Sequence, residues 1–98
     1  MKHFLIEITY TAGPEQMAVV RPEHRVYVQT GFDRGLLLFA GIQNPLLGGV
    51  AVARAEAREE IEAFIAADPY RLKSLADYRI IEFNPVFMQP FLETWMKA

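Results

Sequence analysis

Histidine occurs only at positions 3 and 24 of this 98-residue chain, and cysteine does not occur at all. Proton chemistry near neutral pH therefore falls first to an imidazole, the side chain whose ordinary titration lies there. His24 sits in the run Arg21-Pro22-Glu23-His24-Arg25, and Asp68 stands before Pro69. A carboxylate bonded to one imidazole nitrogen fixes the tautomer and makes the other nitrogen a better base, which is the preparation a general acid–base pair needs. Taken singly, His24 also reads as a solvent-facing residue at a helix start and Asp68 as a helix stop. Arg21, Arg25 and Arg34 gather around the same stretch, and a planar guanidinium suits a substrate carboxylate or phenolate. Tyr27 and Tyr70, with Tyr10 as a weaker candidate, offer hydroxyl donors to a pocket, and core packing is the alternative for each. His3 heads a strand with no ligand at metal spacing, so it reads as structural, and two isolated histidines make no metal site.

Other chemistries lack their residues. Without cysteine there is no thiol nucleophile, disulfide framework or Cys-bound metal. Ser74 is the single serine and lies in no Gly-x-Ser-x-Gly elbow. The glycines spell neither G-x-G-x-x-G nor Gly-Lys-Ser/Thr, so no phosphate loop is expected. A net charge of -2, from 10 basic and 12 acidic residues, gives no footprint for nucleic acid. The 52% hydrophobic and 22% charged composition is that of a globular domain. Met1-Lys2-His3-Phe4-Leu5 leads into alternation rather than a leader's apolar stretch, and no run of about 18 apolar residues occurs, so no membrane association and a cytoplasmic location are expected.

The elements that must position these groups follow from periodicity. Phe4 to Tyr10 alternates with the period of two of a half-buried strand. Thr11-Ala12-Gly13-Pro14 breaks it, Glu15–Val20 forms a short turn, and Pro22 suits the first position of a main helix to about Phe32, with Gly31 and Gly35 at its exit. Leu36–Ile42 is an apolar run of strand length, Asn44-Pro45 and Gly48-Gly49 punctuate a hairpin loop, and Val50–Ala53 makes a third strand. Glu56 to about Ala67 is a second helix with Ala57, Ile61, Phe64, Ile65 and Asp68 on one side and no side-chain oxygen at its cap. Asp68-Pro69 ends it. Tyr78–Phe83 alternates as strand four, and Phe87, Met88, Phe91, Leu92, Trp95 and Met96 form a tail too apolar to leave in water.

This βαββαβ order predicts an α+β, ferredoxin-like fold: a four-stranded antiparallel sheet with both helices on one face. The uncovered face is apolar, and a second copy packed sheet to sheet covers it, giving a homodimer. The competing cover is the tail folded back on its own sheet. Right-handed crossovers place the end of the second helix beside the start of the first, bringing His24, in its first turn, to Asp68. On this reading Asp68 sits at a helix C-terminus, where the dipole opposes it and a protonated His24 compensates.

Arg21-Pro22-Glu23-His24-Arg25-Val26-Tyr27-Val28, Gly35-Leu36-Leu37-Leu38-Phe39-Ala40-Gly41 and Asp68-Pro69-Tyr70 together resemble the pattern of the YciI-like family, over roughly Phe4 to Phe83. The resemblance implies a ferredoxin-like dimeric α+β barrel related to muconolactone isomerase. It also implies a His and an Asp at the active site, here His24 and Asp68, and proton-transfer or elimination chemistry on small ring compounds without metal or organic cofactor. Gly41-Ile42 departs from the family's usual Gly-Pro, and the aromatic tail replaces its short Pro-Trp ending. The expectation is one domain over 1–98, with a core of about 3–84 and an extension 85–98. It is expected to be a cofactor-independent lyase or isomerase acting on a small aromatic or lactone-like substrate, with His24 and Asp68 catalytic and Arg21, Tyr27 and Tyr70 binding substrate. The alternatives are a non-catalytic small-ligand-binding or accessory dimer and an interaction module docking through the tail.

Overall fold

The computed structural model describes residues 1–97. Four strands, β1 (Lys2–Tyr10), β2 (Leu37–Ile42), β3 (Gly48–Ala55) and β4 (Ala76–Phe83), form one antiparallel sheet in the order β2-β3-β1-β4. Helices α1 (Pro14–Asp33) and α2 (Arg58–Ala66) and a single turn, α3 (Pro69–Leu72), complete the βαββαβ core, which is α+β, with an open rather than closed sheet. A 3₁₀ turn (Pro90–Leu92) and α4 (Glu93–Lys97) end the described chain. No helix among the described residues is long and apolar enough to cross a membrane.

Alternation along β1 decides which face meets the helices. Phe4 and Ile6 are buried and pack with Ala51, Ala53 and Ala55 of β3 and with Ile61, Phe64 and Ile65 of α2. Burying a side chain the size of Phe4 or Ile61 stabilises by about 1.5–3 kcal/mol, which exceeds the loss of about 1 kcal/mol from a missing cap oxygen at α2. Glu60 makes up part of that loss, its carboxylate accepting the backbone N–H groups of Glu56 and Ala57. A second cluster, Met17, Val20, Tyr70 and Ala76, fastens the front of α1 to α3 and β4.

Three sequence expectations change. The first helix is one 20-residue element that begins at Pro14, not Pro22. Pro22 interrupts only the bond to the carbonyl of Ala18, and both residues are exposed, so water serves the freed acceptor while Met17 and Val20 hold the preceding turns in the core. Gly31 lies within α1 rather than at its exit: a Cβ there would stand 2.7 Å from Phe64 Cζ and 2.8 Å from Leu37 Cδ1, so its bareness lets α1 press on α2 and β2. Gly48 belongs to β3 rather than to the loop, since a Cβ would fall 1.7 Å from the Ile8 carbonyl oxygen across the β1–β3 pair.

The tail docks on the face away from the helices. Arg54 of β3 holds its guanidinium 4.4 Å above the Trp95 ring, donates Nη1–H to the Trp95 carbonyl at 2.7 Å and Nε–H to the Gly35 carbonyl at 3.1 Å. His3, register partner of Arg54 and Phe83, lies 6.1 Å from the Trp95 ring and is buried beneath it. Met96 is buried, whereas Phe87 and Phe91 remain exposed, so the tail covers one end of the open face and leaves Phe39, half exposed at 54%, uncovered on β2.

Candidate active site

His24 projects from the middle of α1, and its Nδ1 lies 2.8 Å from Asp68 Oδ1, with the two side chains 16% and 5% exposed. Since an ionised carboxylate only accepts, Nδ1 carries the hydrogen and Nε2 keeps its lone pair. Nε2 bonds to no protein group among the described residues.

Asp68 is not placed at a helix C-terminus. α2 finishes at Ala66, and Asp68 is the N-cap of α3, its Oδ1 accepting the Tyr70 N–H at 2.9 Å with Pro69 in the first position. Short Asp side chains are favoured at that position, and proline there loses nothing by having no N–H. The carboxylate is therefore stabilised by its local backbone before His24 contributes, which removes the electrostatic awkwardness expected from the sequence.

Tyr70 is fully buried and stacks on the His24 ring at 3.9 Å between centroids and 12° between planes, and the Tyr10 ring meets Tyr70 edge-on at 5.8 Å. Burial raises the Tyr70 phenol above its ordinary pKa, and the Arg21 guanidinium beside it holds part of that rise back. The imidazole is thus gripped at one edge by Asp68 and on one face by Tyr70.

His24 forms a wall common to two hollows. The inner one, about 90 Å³, is apolar, lined among others by Ile8, Val28, Ile42 and Phe64, with Asp68 and Tyr78 as polar members. The outer one, about 230 Å³, adds Arg21, Arg25, Gln29 and Tyr70. Neither Arg21 nor Arg25 pairs with a carboxylate among the described residues, so both guanidiniums are free to meet an anion. Gly41-Ile42, the departure noted in the sequence, forms the wall shared by both hollows.

Tyr27 does not join this group. Its hydroxyl donates to the Phe64 carbonyl, its ring stacks on Phe64 at 4.8 Å, and it lines neither hollow. Expected to bind substrate, it instead packs on Phe64, because its helical position turns it toward α2. Arg34 likewise points to the Phe64 ring, 5.8 Å away. Tyr78 was missed. It shares the inward row of β4 with Ile80, opposite Ile8, and the alternation Tyr78, Ile80, Glu82 carried that information. Among the described residues no cluster of three or more potential metal ligands forms.

Residues 1–84 match the YCII-related domain. Among solved structures, a 5-chloro-2-hydroxyhydroquinone dehydrochlorinase from Burkholderia phenoliruptrix, in complex with 2,5-dihydroxybenzoquinone, superposes with a TM-score of 0.72 at 16% identity, covering 83% of this chain and 92% of that one. An antibiotic biosynthesis monooxygenase superposes with a TM-score of 0.60 at 15% identity, covering 87% of this chain and 99% of that one. Both share its ferredoxin-like fold. No curated protein matches the sequence. With the domain spanning the whole βαββαβ core, the chain belongs to the YCII-related domain family.

Proposed function

We propose that the protein is a cofactor-independent lyase or isomerase that transfers a proton on a small aromatic or lactone-like substrate, with His24 as base and acid and Asp68 as its orienter. The observation that carries this reading is the 2.8 Å His24–Asp68 bond at the wall of both hollows, with Nε2 unengaged. The substrate ring lies in the inner apolar hollow and its oxyanion faces Arg21, with Tyr70 backing the imidazole. His24 Nε2 takes a proton from a substrate C–H or O–H, and the electron pair left behind forms a new double bond. In an elimination that pair expels a leaving group with its own bonding electrons. In an isomerisation His24 returns the proton at a second carbon. Asp68 stabilises the imidazolium in between.

The active form is a homodimer. The face opposite the helices presents Leu5, Phe39, Val50 and Ile81, and a second copy laid sheet to sheet buries these side chains. Its open end is the one carrying the hollows, since the tail occupies the end at His3 and Arg54.

The test is turnover of a panel of chlorinated hydroquinones, hydroxylated quinones and small lactones, followed by NMR and chloride release. The unsubstituted protein converts at least one member. His24→Ala lowers that rate at least about 100-fold with an unchanged circular dichroism spectrum. Binding of 2,5-dihydroxybenzoquinone without conversion of any member favours the accessory ligand-binding dimer instead.

A further inference from the structure

Among the described residues, the buried phenol oxygens of Tyr70 and Tyr78 lack a hydrogen-bond partner. A hydroxyl removed from water without a partner is destabilising, and each such group asks which acceptor it serves. For Tyr70 the neighbour is a donor, the Arg21 guanidinium. For Tyr78 it is an acceptor: Asp68 lines the same inner hollow, and its charge is one of the causes that raise the Tyr78 phenol's pKa. The two oxygens of Asp68 are unequally used. Oδ1 accepts from His24 Nδ1 and from Tyr70 N–H, whereas Oδ2 accepts from nothing among the described residues. One donor without an acceptor and one acceptor without a donor thus face the same cavity wall.

The geometry points to Tyr78 as a positioning residue that donates its hydroxyl hydrogen to Asp68 Oδ2, making a Tyr78–Asp68–His24 chain across the floor of the cavity. For its chemical consequence the inference rests on the proposed proton-transfer role of His24; for the bond itself it rests on the paired vacancies alone. Fixing Oδ2 stops the carboxylate from turning about its Cβ–Cγ bond, so Oδ1 stays in line with Nδ1 and Nε2 keeps its aim into the hollow. Tyr78 is suited to this because burial, and then the Asp68 charge, hold its phenol protonated far above neutrality, so it remains a donor at every working pH. Arg21 and Arg25, the cations nearest His24 in the outer hollow, are on another element and are untouched by a change at position 78.

The experiment is Tyr78→Phe, which removes one oxygen and keeps the ring. With the bond present, the thermal midpoint falls by several degrees and the His24 Nδ1–H resonance, observed by NMR, moves downfield, because Oδ1 becomes the stronger acceptor once Oδ2 has lost its donor. A midpoint that rises in Tyr78→Phe, as relief of an orphaned hydroxyl would produce, or an unmoved Nδ1–H resonance, overturns the inference. If Tyr78→Phe does not fold, the unsubstituted protein gives the answer: a slowly exchanging, downfield Tyr78 hydroxyl proton supports the bond, and exchange at the rate of a hydrated phenol overturns it. None of these readings uses turnover, so they stand or fall separately from the proposed reaction.

Discussion

A single oxygen of Asp68 receives both the His24 Nδ1 hydrogen, at 2.8 Å, and the Tyr70 backbone N–H, at 2.9 Å. The atom that orients the imidazole is also the atom that starts α3. Asp68→Asn keeps the shape and, by presenting its amide oxygen in place of Oδ1, can keep both of these bonds, but it leaves the imidazolium without an opposing charge. Conversion of any substrate identified from the panel is expected to fall about 100-fold or more, with the thermal midpoint lowered by a few degrees. Asp68→Ala removes the cap as well and costs about 0.5–2 kcal/mol more. Chemical denaturation of the two variants checks the difference.

His3 is predicted to make tail docking sensitive to acid. Burial lowers its pKa below the ordinary 6.5, the Met96 backbone opposes that shift, and the N-terminal ammonium and Arg54 add to it. Because the folded value lies below the unfolded one, the unfolded or undocked state binds the extra proton more readily. Stability from this site is complete above about 6.5 and is lost progressively as pH falls from there to the lowered folded value. Trp95 is the single tryptophan, so its emission should shift to the red over that interval in the native protein and stay constant in His3→Leu.

Arg54 joins the tail to the sheet by a stacked guanidinium and two backbone carbonyls. Arg54→Ala should cost about 1–3 kcal/mol, the sum expected of a partly buried cation–π contact and charge-assisted hydrogen bonds. The measurement is a urea titration followed by Trp95 emission. Arg54→Lys is expected to restore little, since a point charge cannot reach both carbonyls while lying flat on the indole.

Gly31→Ala sets helix propensity against packing. Alanine gains up to about 1 kcal/mol in a helix interior, but its Cβ would press on Phe64 Cζ at 2.7 Å and Leu37 Cδ1 at 2.8 Å. Leu37 can turn aside. Phe64 cannot move freely, being stacked on Tyr27, whose hydroxyl holds the Phe64 carbonyl. Overpacking of this kind costs about 1–3 kcal/mol, so the variant should be net destabilised by roughly 1 kcal/mol in thermal or chemical denaturation.

Phe39 tests the proposed assembly. Phe39→Lys places a charge on the edge strand of the uncovered surface, and light scattering should then return the mass of one chain where the unsubstituted protein gives two. A mass of one chain for both proteins would leave the tail as the only cover.

The alternation of Phe4, Ile6 and Ile8 and the two short apolar runs sufficed for the sheet, because a period of two with one buried side leaves little freedom of register. The partners His24 and Asp68 were readable for a related reason: the crossover rule brings those two chain segments together whichever residue begins the helix. The helix start itself was misread because Pro22 is a good first residue and also a tolerable exposed interior one, and only the burial of Met17 and Val20 decides between them. Asp68 was assigned to the wrong helix end since Ala67 and Asp68 differ by one position, a distance periodicity does not resolve. Tyr27 and Tyr70 looked alike in sequence. Their separate fates, one tied to Phe64 and the other stacked on His24, depend on rotation about their own elements.

The anchored tail and the paired imidazole and carboxylate lie at opposite ends of β1, with His3 beneath Trp95 and Tyr10 beside Tyr70. At about 3.3 Å per residue those ends are more than 20 Å apart, beyond the reach of a five-residue helix that stays moored to Arg54. Substitutions in the final turn can therefore loosen or tighten the mooring of the tail on Arg54 without disturbing the imidazole and its carboxylate.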